Sequence, residues 1–214
     1  MSMVQELNWN HPVALRLLEA FARAGGKGVA APSANRFGNV SPTTAQAVSD
    51  ELSDYLTMSD LILDGGACAV GVESTIIDCT GDAPKILRPG AITAEMIRDS
   101  TGLLVRKNGD STENRNQIRV SGSLESHYAP AAKVVLDQVP LAGQGLIALA
   151  DFGTGEGVVR LAAPRTNEEF AKVLYSALRE ADERGLGVVV VQQPVGGGIA
   201  IAIRDRLSRS EKGR

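Results

Sequence analysis

The chain has 214 residues, 43% of them hydrophobic and 22% charged, with a net charge of −3; these are ordinary values for a globular protein of one large domain or two small ones. No run approaches the ~18 apolar residues of a membrane helix, and Met1-Ser2-Met3-Val4-Gln5-Glu6 lacks the features of a secretory signal, so the cytoplasm is the expected location. Two cysteines without a C-x-x-C pattern and only two histidines give no transition-metal cluster to propose, while 4% aromatics and mild acidity give no nucleic-acid footprint.

Residues 1–10 carry no usable pattern. Asn10 or His11 opens a short helix, with Pro12 near its first position and Val13, Leu17, Leu18 and Phe21 on one face; Gly25-Gly26 ends it. Gly28-Val29-Ala30-Ala31 reads as a buried strand stopped by Pro32. Ser41 then predicts a helix N-cap with Pro42 behind it, and Ala45, Val48, Leu52 and Tyr55 continue at helical spacing. Between strand and helix lies a polar loop holding Ser33, Asn35, Arg36 and Asn39. Such a loop suits an anion, because free N–H groups and the helix dipole both favour negative charge. The alternative is that Ser33 and Asn35 only bond their own loop.

Leu61-Ile62-Leu63 predicts a short buried strand closed by Asp64-Gly65-Gly66, and Val70 to Asp78 a second one entered through a tight glycine turn. Within it, Glu73, Ser74 and Thr75 either face solvent from an edge strand or offer hydroxyls and N–H groups at a pocket mouth. Ile86 to Gly90 is a further strand. Its Arg88 is either a surface charge or a phosphate partner beside the Ser33/Asn35 loop. Thr93 caps a helix that Gly102 stops.

Lys107 to Arg119 is almost wholly polar and reads as a linker running into His127-Tyr128-Ala129-Pro130, where Tyr128 can supply a face and a hydroxyl. From Lys133 the pattern alternates. Val134–Leu136, Gly145–Ala150, Val158–Leu161 and Val188–Val191 read as strands. Thr166-Asn167-Glu168-Glu169 is a capping box before an apolar stripe from Phe170 to Ala181, and Gly196-Gly197-Gly198 is a flexible turn into a last helix through Arg206 and Leu207. Such alternation predicts a small parallel sheet with flanking helices.

Four blocks in order closely resemble the Sua5/YrdC/YciO family. They are Pro32-Ser33-Ala34-Asn35-Arg36 with Ser41-Pro42-Thr43-Thr44, Leu63-Asp64-Gly65-Gly66 with Val70-Gly71-Val72-Glu73-Ser74-Thr75-Ile76, Ile86-Leu87-Arg88-Pro89-Gly90-Ala91-Ile92-Thr93, and His127-Tyr128-Ala129-Pro130. The resemblance implies the two-domain layout. Residues 1–106 would be part of a YrdC-like domain on a twisted mixed sheet, 107–130 a linker folding back over its site, and 131–214 a small Rossmann-like α/β unit. It also implies synthesis of threonylcarbamoyl-adenylate from L-threonine, bicarbonate and ATP with release of pyrophosphate. A downstream threonylcarbamoyl transferase would carry the product to adenosine 37 of tRNA, so tRNA is only an indirect partner.

By the same resemblance, Ser33 and Asn35 would bind nucleotide phosphate, with Ser33 also helping to hold threonine. Ser74 would line the threonine pocket, Arg88 would contact phosphate or adenylate, and His127 and Tyr128 would form a lid over the nucleotide. Mg2+ would come with ATP. The family's Lys-x-Arg segment is absent before Ser33. Roughly the first hundred residues of the usual first domain are therefore expected to be missing, as in a truncated or split protein. An opened sheet edge would then favour self-association. A non-catalytic remnant that binds nucleotide or RNA, or an interaction module, is the alternative function.

Overall fold

The structure is a computed structural model that describes residues 11–106 and 129–213, so the expectations for His127, Tyr128 and the linker lie outside the described residues. The hydrophobic core lies mainly in the second stretch, with Val40 of the first joining it. Strands β3 (Lys133–Leu136), β4 (Gly145–Ile147), β5 (Val159–Ala162) and β6 (Val188–Val191) form a wholly parallel sheet in the order β3-β6-β4-β5. Parallel neighbours need long crossovers. Helix α4 (Asn167–Glu183) supplies the one between β5 and β6, and α5 (Ile199–Glu211) follows β6 and packs on α4 and β3.

The predicted stripe is what closes this core. Phe170, Leu174, Tyr175 and Leu178 of α4 are 1% exposed or less, and they meet Val134, Ile147, Val189 and Val191 of the sheet and Ile203 and Leu207 of α5. Thr166 starts α4 by accepting a hydrogen bond from the Glu169 N–H at 3.1 Å. The Glu169 carboxylate reaches one residue beyond the usual capping-box partner and accepts from the Arg165 N–H at 2.7 Å. Thr166→Ala is expected to cost about 1 kcal/mol, read as a lower urea midpoint at unchanged slope.

The first stretch is built differently. Helix α1 (Pro12–Arg23) begins at His11, α2 (Ala45–Leu52) is followed by a single 3-10 turn (Ser53–Tyr55), and α3 (Ala94–Thr101) runs from Thr93 to a left-handed Gly102. Strands β1 (Ile76–Asp78) and β2 (Lys85–Arg88) pair antiparallel as a two-stranded ribbon. The whole is a mixed α/β chain with one antiparallel and one parallel sheet.

Four expectations are corrected here. Gly28–Ala31 and Leu61–Leu63 are not strands: Val29 is 55% exposed and Leu61 86%. A strand persists only where a ladder satisfies its N–H and C=O groups, and among the described residues neither segment has a partner strand. The Val70–Asp78 strand shrinks to Ile76–Asp78, because residues 70–75 turn away to dock on α4. Ser41 is not a cap. Thr44 caps α2, accepting from the Ala47 N–H, while the Ser41 hydroxyl is engaged by Glu73.

Candidate functional site

Two loops carry the predicted site residues. In the first, Asn35 Nδ2 donates to the carbonyls of Arg36 (2.8 Å) and Asn39 (3.2 Å), so the amide folds the loop onto itself. Its Oδ1 is buried with no hydrogen-bond donor among the described residues. The loop is shaped from outside by Glu51 of α2. That carboxylate accepts from the Arg36 N–H and Nε, from Asn39 Nδ2, and from Arg179 of α4. Arg179 also donates to the Val40 carbonyl, tying the loop's end to the core domain. Ser33 lies on the exposed side of this loop.

In the second loop Ser74 is exposed, and Arg88 sits behind it, only 6% exposed. Arg88 Nε donates to the Ser74 carbonyl at 3.0 Å and Nη2 to its hydroxyl at 3.2 Å. The structure thus brings Ser74 and Arg88 together and places Ser33 and Asn35 on the neighbouring loop. What links the two loops is Glu73, whose carboxylate accepts from Ser41 Oγ at 2.8 Å. The same carboxylate accepts from Tyr175 Oη at 2.9 and 3.2 Å and from Arg206 Nε at 2.7 Å. Ala129, where the chain re-enters the described residues, donates its N–H to Gly38 O at 3.1 Å, beside the Ser33–Asn39 loop.

Sequence reasoning weighed Glu73 only as part of an edge strand or pocket mouth, and missed Glu51, Arg179 and Arg206. A signal for the arginines was present. Arg206 interrupts the apolar stripe Ala202, Ile203, Leu207 at a position that helical spacing turns inward. A charge there needs a buried partner.

Burial pushes the Glu73 and Glu51 carboxyls up, but their partners outweigh it. The Arg206 guanidinium and the Ser41 hydroxyl hold Glu73 below the ordinary carboxylate range, and bonds from Asn39, Arg36 and Arg179 do the same for Glu51. A depressed folded-state value means that the stabilisation is present above the unfolded value, about 4.3, and is lost as pH falls through the folded one. Urea midpoints are expected to hold from pH 7 to about 5 and to fall below about pH 4. In the Glu73→Gln, Glu51→Gln double variant that fall should be smaller.

Exposed hydroxyls on two loops, one of them backed by the buried Arg88 guanidinium and both seated on a parallel-sheet domain, make this an α/β protein suited to a small polar or anionic ligand. A Sua5/YciO/YrdC family model, described as telomere recombination, matches residues 9–90, and a model of the threonylcarbamoyl-AMP synthase C-terminal domain matches residues 92–211. The chain belongs to the Sua5-type threonylcarbamoyl-AMP synthase family.

Among its relatives is the threonylcarbamoyl-AMP synthase of Bacillus subtilis, 34% identical over 96% of this chain and 62% of that protein. The Pyrococcus abyssi enzyme of the same name is 32% identical over 94% of this chain and 61% of its own length. The crystal structure of P. abyssi Sua5 complexed with L-threonine superposes with a TM-score of 0.77 at 29% identity, covering 96% of this chain and 63% of that one. The chain therefore spans about six-tenths of the length of the relatives it matches. The expected loss of the first domain's N-terminal half finds no support in the first family match, which runs from residue 9 to residue 90.

Among the described residues no helix is long and apolar enough to cross a membrane.

Proposed function

We propose that this protein makes L-threonylcarbamoyladenylate from L-threonine, bicarbonate and ATP. The observation that carries this reading is the succession of both family matches along one chain, residues 9–90 and then 92–211. The threonine amine captures CO2 as a carbamate, a carbamate oxygen attacks the α-phosphorus of ATP, and pyrophosphate leaves. Such chemistry asks the protein for positioning and charge neutralisation more than for covalent work.

In this reading the Ser33 hydroxyl and the N–H groups of its loop meet phosphate oxygens, and Ser74, fixed by Arg88, faces threonine. Mg2+ enters as part of the MgATP substrate, carried on the phosphates. Neutral hydroxyl and amide donors of the Ser33 loop suit phosphate oxygens and leave the metal's charge to the nucleotide. The product then serves a separate transferase that acts on tRNA, and the reaction is placed in the cytoplasm. Self-association is a further proposed property, supported by exposed apolar side chains in the first stretch such as Phe37, Met58, Leu61 and Leu104.

A second reading, nucleotide binding without turnover, draws on Arg88: its guanidinium is buried and already committed to the Ser74 carbonyl and hydroxyl. The test is pyrophosphate release from ATP by the 214-residue chain. Release that needs both threonine and bicarbonate, and that falls at least tenfold in Ser33→Ala, Asn35→Ala, is the expected result. Nucleotide binding with no such release would favour the second reading.

A further inference from the structure

We propose that the parallel-sheet domain sets the geometry of the Ser74–Arg88 pair, with Arg206 and Glu73 as its positioning residues. The inference rests on the reading above only in taking Ser74 as part of the ligand face.

Arg206 lies on α5 and is fully buried. Its Nε donates to Glu73 at 2.7 Å and its Nη2 to the Pro89 carbonyl at 2.9 Å. Glu73 directly precedes Ser74, and Pro89 directly follows Arg88. Because Arg88 in turn bonds the Ser74 carbonyl and hydroxyl, the contacts close a ring: Arg206, Glu73, Ser74, Arg88, Pro89 and back to Arg206. One planar guanidinium on the far domain thereby spans both chains that carry the pair. A rigid fork can fix two acceptors relative to each other, which a single ammonium cannot.

The surrounding contacts tighten the same ring. Tyr175 of α4 and Ser41 hold the other faces of the Glu73 carboxylate. Gly90 lies so close to the backbone of residues 73–75 that a Cβ on it would fall 2.4 Å from the Thr75 N. A domain that was merely appended could dock through any surface. Here the one fully buried charge among the described residues of that domain falls on the two residues flanking the site pair. Linkage makes such coupling reciprocal, so a ligand that tightens on Ser74 also favours the docked domain.

The test compares the 214-residue wild-type chain, Arg206→Lys and Glu73→Gln, with Thr166→Ala as a control that weakens the same domain away from the ring. Amide hydrogen exchange at residues 73–76 and 86–90 is read beside residues 170–178 of α4. Exchange at the two ring segments is expected to rise at least tenfold in Arg206→Lys and less in Glu73→Gln, with α4 still protected. Thr166→Ala should leave the ring segments unchanged relative to α4. In Arg206→Lys and Glu73→Gln, but not in Thr166→Ala, the KM for L-threonine should rise at least fivefold while kcat changes less than twofold, as expected for a mispositioned binding residue.

Unchanged ring exchange, or a rise matched throughout α4, would overturn the proposal, and so would an unchanged KM. If the wild type shows no threonine-dependent turnover, the functional reading fails, and the exchange pattern alone decides the coupling.

Discussion

Arg206→Ala is expected to destabilise the protein by about 3–5 kcal/mol, the largest loss for any single side chain at the junction of the two stretches. Total stability for a domain of this size is only about 5–15 kcal/mol, so the variant should show a strongly lowered urea midpoint. The loss comes less from the removed contacts than from what they leave behind. Without the guanidinium, the Glu73 carboxylate, 17% exposed, is left among the described residues with the Tyr175 and Ser41 hydroxyls and its own backbone N–H but no cation, and the Pro89 carbonyl loses its bond from Arg206.

The companion variant sharpens this. Arg206→Met with Glu73→Leu replaces both charges by apolar groups of similar bulk, and such exchanges are commonly neutral or stabilising by about 1–4 kcal/mol. If the double variant is as stable as the wild type, the ion pair serves geometry and not stability, as the ring around Ser74 and Arg88 requires. A double variant as unstable as Arg206→Ala would point to a stabilising role instead.

The parallel-sheet domain was the more legible half, and the reason is physical. Its helices carry local signals at both ends, Thr166 and Glu169 at one start and Gly185 at one stop, and its strands are short apolar runs between them. Those signals act over a few residues, so they survive without knowledge of the tertiary structure. The first stretch depends on distant partners. Val29 and Leu61 have strand-like neighbours in sequence, yet propensity yields no strand where no ladder forms.

The site was legible as a set of residue types but not as a geometry. Ser33, Asn35, Ser74 and Arg88 are marked by local pattern and resemblance, whereas the bonds that fix their loops on the parallel-sheet domain run over more than a hundred residues. Glu73 to Arg206 and Glu51 to Arg179 are such bonds, and nothing in spacing pairs them. Ser41 illustrates the competition. Its position before Pro42 favours a cap, but a buried carboxylate is the stronger claim on a hydroxyl, and Thr44 takes the capping role.

Gly71→Ala should be the second large loss, and a matched glycine separates its causes. Gly71 has a φ of 85°, where a side chain costs about 1–2 kcal/mol, and Gly66, at 87°, bears the same backbone cost. Around Gly66 a Cβ would meet nothing within 4 Å, whereas at Gly71 it would lie 2.2 Å from the Ala171 carbonyl oxygen and 2.5 Å from the Lys172 Cα. Both of those atoms are backbone of α4, a helix with seven buried residues, so they cannot yield without shifting it. Overpacking of that kind adds about 1–3 kcal/mol.

Gly66→Ala is thus expected to lower stability by about 1–2 kcal/mol and Gly71→Ala by about 2–5, measured as paired urea midpoints. The difference between them is the steric cost of pushing the 70–75 loop off α4. Because that loop ends in Glu73 and Ser74, Gly71→Ala should also raise exchange at residues 73–76, and Gly66→Ala should not. Equal losses in the two variants would mean that the loop is not seated on the helix in solution. At position 71 both the backbone angle and the close approach require a glycine, whereas at position 66 the angle alone does.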